Sequence, residues 1–268
     1  MNKSAAILFW SVFSLGLNAQ VTLGPTVTTF GVLAGSTVTN TGATLVDGNV
    51  GVYAGTAITG FPPGQVSSGF ALHGGDATAL NAQNDLTTSY TTAQGLTCPG
   101  ANNLTGIDLG TLTLAPGVYC FSTSAQLTGT LTLSGTGQYV FQIGSTLTTA
   151  SGSAVVFING ALASNLYWQV GSSATLGTGT AFGGNILAQA SITLNTGASL
   201  NGRALARIGA VTLAGNGISG VALTGGGVPP TGPTATPAPS SLILVTLALA
   251  CIGIYLARER ILLLFRRS

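Results

Sequence analysis

The chain has 268 residues, of which 40 are glycine; 46% are hydrophobic and only 4% charged, which excludes a solvated disordered polymer. The formal net charge of +2 is misleading, because most basic residues lie at the ends. Between Gln20 and Pro237, Arg203 and Arg207 stand against Asp47, Asp76, Asp85 and Asp108 with no lysine, so no basic patch exists there to hold nucleic acid.

Lys3, an apolar stretch from Ala5 to Leu17 and Leu17-Asn18-Ala19 before Gln20 have the layout of a secretory signal peptide over residues 1–19. The expected destination is outside the cytoplasm, at the cell envelope, the outer surface or in the medium. From Val27 to Val66 short strand-forming runs alternate with Gly turns, as in Phe30-Gly-Val-Leu-Ala-Gly and Ser36-Thr-Val-Thr-Asn. From Asp76 to Gly95 the texture changes. Ala79, Leu80, Ala82, Leu86, Tyr90 and Ala93 keep helical spacing, with Asp76 as N-cap and Gly95 as stop, so a single amphipathic helix is expected to bury Leu86 and Tyr90 against the β domain. β texture resumes at Leu104. Cys98 and Cys120 are the only cysteines of the exported part; an oxidising compartment permits a bridge between them, the other reading being two buried thiols.

Between Thr146 and Gly220 the chain repeats itself. Ser145-Thr-Leu-Thr-Thr, Ser173-Ala-Thr-Leu-Gly-Thr, Ser191-Ile-Thr-Leu-Asn-Thr and Gly209-Ala-Val-Thr-Leu align on Leu147, Leu176, Leu194 and Leu213. The later steps are about 18 to 19 residues, one turn of a β-solenoid with three short strands. The first step is longer and implies an inserted loop or an extra strand pair. Three faces follow: one carries the Thr-Leu motifs, a second runs through Ala154–Phe157, Thr180–Phe182, Ala198–Leu200 and Gly217–Ser219, and a third through Leu166-Tyr-Trp-Gln-Val, Asn185-Ile-Leu-Ala and Arg203-Ala-Leu-Ala. Leu176, Leu194, Leu213, Phe182, Leu200, Ile186 and Leu205 are the expected inward residues. A Thr repeated in each coil becomes a straight row at the interstrand spacing of about 4.8 Å.

The expected domain spans 20–224. A Pro/Thr/Gly linker at 225–240 leads into an apolar run from Leu242 to Leu256, followed by Arg258, Arg260, Arg266 and Arg267; 241–268 therefore reads as a transmembrane helix with a basic cytoplasmic tail. Pro237, Pro239, Ser240 and Ser241 before that run resemble the PEP-CTERM type of sorting tail, with Ala238 where Glu is usual. The resemblance implies exosortase-type processing; a plain membrane anchor is the other reading.

Enzymatic chemistry lacks its parts. His73, beside Asp76, reads as a turn or cap residue, Asp47 and Asp108 read as turn residues, and no carboxylate cluster suits a metal. No cofactor, catalytic residue or metal ligand is expected.

Several blocks in order resemble the bacterial and fungal ice-binding (antifreeze) protein family: Phe30-Gly-Val-Leu-Ala-Gly, Ala57-Ile-Thr-Gly-Phe-Pro-Pro-Gly, Pro116-Gly-Val-Tyr, Trp168-Gln-Val-Gly, Gly184-Asn-Ile-Leu-Ala and Gly202-Arg-Ala-Leu-Ala. Tyr53-Ala54 and Ser164 depart from the family's usual Ser-Pro and Cys. The resemblance implies a mainly β protein, a right-handed, three-faced, discontinuous β-solenoid with one α-helix alongside, monomeric, whose flat Thr/Ser-rich face adsorbs to ice and inhibits growth or recrystallisation. The family's Thr-Ala/Gly-x-Thr/Asn motif points to Thr41, Thr44, Thr56 and Thr59, to Thr196 and Ser199, and in part to Thr149, Ser151, Thr178 and Thr180 as the ice-binding residues. The competing reading is a cell-envelope adhesin or matrix solenoid that binds polysaccharide or other cells.

Overall fold

The computed structural model describes residues 20–220; the signal-peptide segment, the sorting motif at Pro237, Pro239, Ser240 and Ser241, and the apolar C-terminal run lie outside them. Among the described residues no helix is long and apolar enough to cross a membrane. The fold is mainly β, with one long α-helix.

Short strands joined by Gly turns stack in parallel and enclose an apolar core on three faces. The first face is a seven-stranded sheet in the order Ala125–Leu127, Leu147–Thr149, Ala174–Leu176, Ile192–Leu194, Val211–Ala214, Thr37–Thr41 and Ala57–Thr59. The other two faces are the arms of one sheet, joined by the eight-residue strands Ala181–Ala188 and Ser199–Ala206. Each crosses the corner at a glycine, Gly184 (φ 97°) and Gly202 (φ 153°), and the two are paired in register. Only glycine fits the second: a Cβ on Gly202 would lie 1.9 Å from the Gly184 carbonyl oxygen.

Rung order departs from chain order. Val32, Val38 and Leu45, all from the N-terminal stretch, pair with Ala204, Val211 and Gly217 of the last C-terminal coil. Asn49–Val52, Ala57–Thr59 and Gln65–Val66 then add a further coil. The two ends of the domain thus build adjacent rungs, and the first face gains two strands from the N-terminal stretch, Thr37–Thr41 and Ala57–Thr59.

Alternation along each strand sends one side chain in and the next out. Leu176, Leu194, Leu213, Phe182, Leu200 and Ile186 are inward and buried. Tyr119, Phe141, Trp168 and Phe182 form a column with successive centroid separations of 5.2, 4.3 and 4.9 Å, and the Trp168 indole N–H donates to the Gly183 carbonyl at 2.9 Å. Two expectations need correction. Leu205 is buried but points outward, into the cluster beneath the helix with Leu33, Leu187 and Leu86. Leu147 pairs with Ala174, not Leu176, because the larger coil, with its loop near Asn159–Asn165, shifts the repeat by two residues.

The helix, α1 (Ala77–Gln94), begins where the Asp76 carboxylate accepts the Ala79 N–H at 2.9 Å. His73 Nδ1 lies 2.7 Å from the same carboxylate. The helix covers the third face, burying Leu86 and Tyr90. Tyr90 receives a hydrogen bond from Gln169 Nε2 at 2.8 Å, and the Arg207 guanidinium lies 4.6 Å from its ring centroid. Arg203 is buried and donates to Asn185 Oδ1 and the Thr28 carbonyl, both at 2.9 Å. A disulfide joins Cys98 in the loop after the helix to Cys120 in Gly117–Phe121.

Candidate functional site

With the third face covered by α1, two faces are left open, the seven-stranded first face and the second, which exposes Leu45, Val156 and Ile158. Register makes a single file on the first face: Thr148 pairs with Thr175, Thr175 with Thr193, Thr193 with Thr212, Thr212 with Thr39, and Thr39 with Thr59. Each follows an inward apolar residue, which is why all six point out: Leu147, Ala174, Ile192, Val211, Val38 and Ile58 precede them. Five steps at about 4.8 Å make a row about 24 Å long. Parallel pairing without bulges among these strands keeps it straight.

The chemistry of the row is uniform. Thr39, Thr148, Thr175, Thr193 and Thr212 make no side-chain hydrogen bond among the described residues; Thr59 Oγ1 reaches the Val38 carbonyl at 3.4 Å. The first five therefore offer water a methyl and an uncommitted hydroxyl on a stiff β-branched stem. No strand of this sheet carries a charged side chain. Asp108 sits beside its outer end, accepting the Gly110 and Thr128 N–H groups at 2.7 and 2.9 Å. Burial pushes its carboxyl up, but these bonds outweigh that and hold it below the ordinary carboxylate value. Among the described residues no group of three His, Cys, Asp or Glu side chains could hold a metal ion.

The sequence-predicted positions scatter around this row. Thr59 belongs to it. Thr41 is exposed two residues beyond Thr39, and Thr56 is exposed in the turn leading into Ala57–Thr59. Ser151, Thr178 and Thr196 are exposed on the turns that leave the face, each just before a positive-φ glycine, Gly152, Gly179 and Gly197. These turns stack through Gly152 N–H to Thr178 O and Gly179 N–H to Thr196 O, at 2.9 and 3.0 Å. Ser199 opens a strand of the second face.

Thr44, Thr149 and Thr180 are corrections, because all three are buried. Thr149 and Thr180 bond each other at 2.8 Å, and Thr149 Oγ1 accepts the Gly177 N–H at 2.9 Å. Thr44 donates to Asn40 Oδ1 and accepts the Asn216 N–H at 3.0 Å. Their hydroxyls satisfy backbone and side-chain groups inside the corner, where water does not reach. Thr39, Thr148, Thr175, Thr193 and Thr212 were not among the named positions, although the Thr repeated in each coil was expected to form a straight row. The signal for three of them was present as the Thr immediately before Leu176, Leu194 and Leu213, since a neighbour of an inward Leu must face out. Tyr53 sits at the corner before Ala57–Thr59, off the row.

A family model described as ice-binding-like matches residues 32–219. The chain belongs to the ice-binding-like family. An ice-binding protein of Nostoc sp. (strain HG1) is 50% identical over 192 residues, covering 70% of each chain. Ice-binding protein 1 of Shewanella frigidimarina is 34% identical over 198 residues, 62% of this chain and 22% of that one. Among solved structures, an ice binding protein from an Antarctic biological consortium matches with a TM-score of 0.71 at 44% identity, over 80% of this chain and 95% of that one. The structure from the Antarctic ascomycete Antarctomyces psychrotrophicus gives 0.69 at 40% identity, over 74% and 97%. The region matched by the family model holds every rung of the Thr row, from Thr39 to Thr212.

Proposed function

We propose that this protein adsorbs to ice through the first face, with Thr148, Thr175, Thr193, Thr212, Thr39 and Thr59 at its centre, and so inhibits ice growth or recrystallisation. The observation that carries the reading is the file of six registered threonines, five of them with hydroxyls free of protein partners. Stacked rungs about 4.8 Å apart, with outward residues about 6.6 Å apart along each strand, form a fixed two-dimensional grid of methyls and hydroxyls. Such a grid holds water in a lattice-like layer, the methyls seated in gaps and the hydroxyls joined to the network. Each contact is weak. The sum over a rigid plane is strong because little freedom is lost on docking. The absence of charge on these strands matters for the same reason, since an ion would impose its own hydration shell.

Thr41, Thr56, Ser151, Thr178, Thr196 and Ser199 belong to the rim of this contact. The leader over residues 1–19 carries the domain out of the cytoplasm, and the segment 241–268 holds it at the envelope until or unless the sorting motif is cut. The decisive experiment is partition of the purified protein into a slowly growing ice hemisphere, beside Thr193→Tyr, whose ring stands above the middle of the row. Enrichment of the parent in ice and exclusion of a folded T193Y variant are expected. A parent excluded from ice like an ordinary solute sinks the reading.

A further inference from the structure

Beside the central row runs a second file of hydroxyls, Ser124, Thr146, Ser173 and Ser191, and its side chains behave differently. Each stands one residue before an inward apolar residue, Ala125, Leu147, Ala174 and Ile192, and so faces outward. Thr146, Ser173 and Ser191 come two residues before Thr148, Thr175 and Thr193, immediately ahead of the strands that begin at Leu147, Ala174 and Ile192. Backbone bonds fix the stacking: Ala125 N–H to Thr146 O, Leu147 N–H to Ser173 O, and Ala174 N–H to Ser191 O, at 2.9, 3.0 and 2.9 Å.

The hydroxyl oxygens of this file are engaged by the sheet. Ser173 Oγ accepts the Ser191 N–H and Ser191 Oγ accepts the Ala210 N–H, each at 3.2 Å. Ser124 Oγ accepts the Thr146 N–H at 3.4 Å and shares a 2.8 Å bond with Thr146 Oγ1. The three N–H bonds run the same way along the stack, each from the next rung back to the oxygen of the one before. An oxygen held by an N–H has one lone pair committed, and its own hydrogen remains free to be donated. We propose that Ser173 and Ser191 are positioning residues of the ice contact: a second row whose hydroxyls are preset by backbone N–H groups to donate into the water layer, next to a central row whose hydroxyls adapt to it. The inference rests on the ice-binding reading of this face.

The physical advantage is a division of labour. A layer in which every water both donates and accepts needs some neighbours of settled orientation, and the settled file supplies them without loss of rotamer freedom at docking. The adjacent central threonines, with donor and lone pairs uncommitted, accommodate whichever role the next water requires.

The test pairs Ser173→Ala with Ser191→Ala in the full chain, beside Ser173→Thr with Ser191→Thr and the T193Y control. The alanine pair is expected to raise the concentration needed to stop recrystallisation about fivefold, from the loss of two donors. The threonine pair, which keeps both oxygens, is expected to stay near the parent. Circular dichroism at 0 °C establishes that each variant is folded, so the comparison is made per folded molecule. If the alanine pair stops recrystallisation at the parent's concentration while T193Y fails, the two serines serve only the sheet; this inference is then wrong and the ice-binding reading stands. If the parent itself does not act on ice, the reading falls and the inference with it.

Discussion

Thr149 and Thr180 lie on successive turns between the first and second faces, and their hydroxyls meet 2.8 Å apart in the interior. Thr149 caps the Gly177 N–H at 2.9 Å, and Thr180 bonds the Ala150 carbonyl at 3.2 Å. Ser153 adds a bond to the Leu127 carbonyl, and Asn216 bonds the Asn195 and Ala198 carbonyls. The corner therefore has a buried polar seam, which secures the turns from which the flat face departs. Two kinds of hydroxyl coexist in this chain, inward ones that hold the scaffold and outward ones that meet water.

Thr149→Val tests the inward kind. It keeps the volume but leaves the Gly177 N–H buried without its acceptor, a loss of about 1–3 kcal/mol. The thermal midpoint should fall by roughly 2–4 °C per kcal/mol in a domain of this size. Ice activity of the folded fraction should be unchanged, since the side chain is 3% exposed. Calorimetry and recrystallisation assays on the same sample check both halves, and a stable but inactive variant would place Thr149 at the surface after all.

The outward kind is tested by comparing Thr212→Tyr with Thr196→Tyr. Thr212 lies mid-row between Thr193 and Thr39, whereas Thr196 lies on the turn. A ring on Thr212 holds several rungs out of contact range, and a drop of at least about tenfold in activity is expected. A ring on Thr196 should cost less than about twofold, because it projects from the rim. Thermal hysteresis of both variants decides between sheet and corner as the main contact; the reverse order would move the centre of the site to the turns.

What made the helix legible was local: Asp76 as cap, Gly95 as stop, and apolar residues at helical spacing between them. The three faces were legible for a similar reason, since repeats of 18 and 19 residues keep the same strand-turn texture. The row was only half legible. Thr175, Thr193 and Thr212 sit one residue before a repeated inward Leu, but Thr39 and Thr59 join them through pairing between chain ends, which no local pattern reveals. The Thr-x-x-Thr motif was an uneven guide because its last position points differently in each copy: Thr44 lies inside the corner, Ser199 is exposed on the second face and Thr59 stands in the row. Spacing in sequence measures distance along the backbone, whereas a turn changes which way the side chain points.

Removing the disulfide by Cys98→Ser with Cys120→Ser addresses the loop after the helix. The two cysteines are 22 residues apart, and opening a loop of that size costs about 3 kcal/mol on the chain-entropy account. The midpoint should fall by roughly 6–12 °C, at the scaling usual for domains of this size. Ice activity at 0 °C should persist, because Cys120 lies in a strand of the third face and the row lies on the first. Scanning calorimetry with and without reductant measures the first effect; loss of activity in a folded variant would couple the loop to the ice contact.

Acid should loosen the helix before it affects the row. The bond from the Ala79 N–H holds the Asp76 carboxyl below its ordinary 3.8, with slight burial opposing and His73 assisting. A carboxyl whose folded value is depressed contributes stability fully above the ordinary value and loses it as the pH falls through the depressed one. Asp108 is shifted the same way, so both contributions disappear on the acid side of 3.8 and neither changes between neutral pH and the ordinary carboxylate range. Asp76→Ala should cost about 1 kcal/mol at neutral pH through the lost cap. Its midpoint should then converge on the parent's as the pH is lowered, because protonation has by then removed the same bond from the parent. Thermal melts of parent and variant from pH 7 down to pH 2 test this, and a gap that stays constant across the range would show that the cap acts without its charge. Thr39, Thr148, Thr175, Thr193 and Thr212 do not titrate, so ice activity per folded molecule should stay flat over the same range.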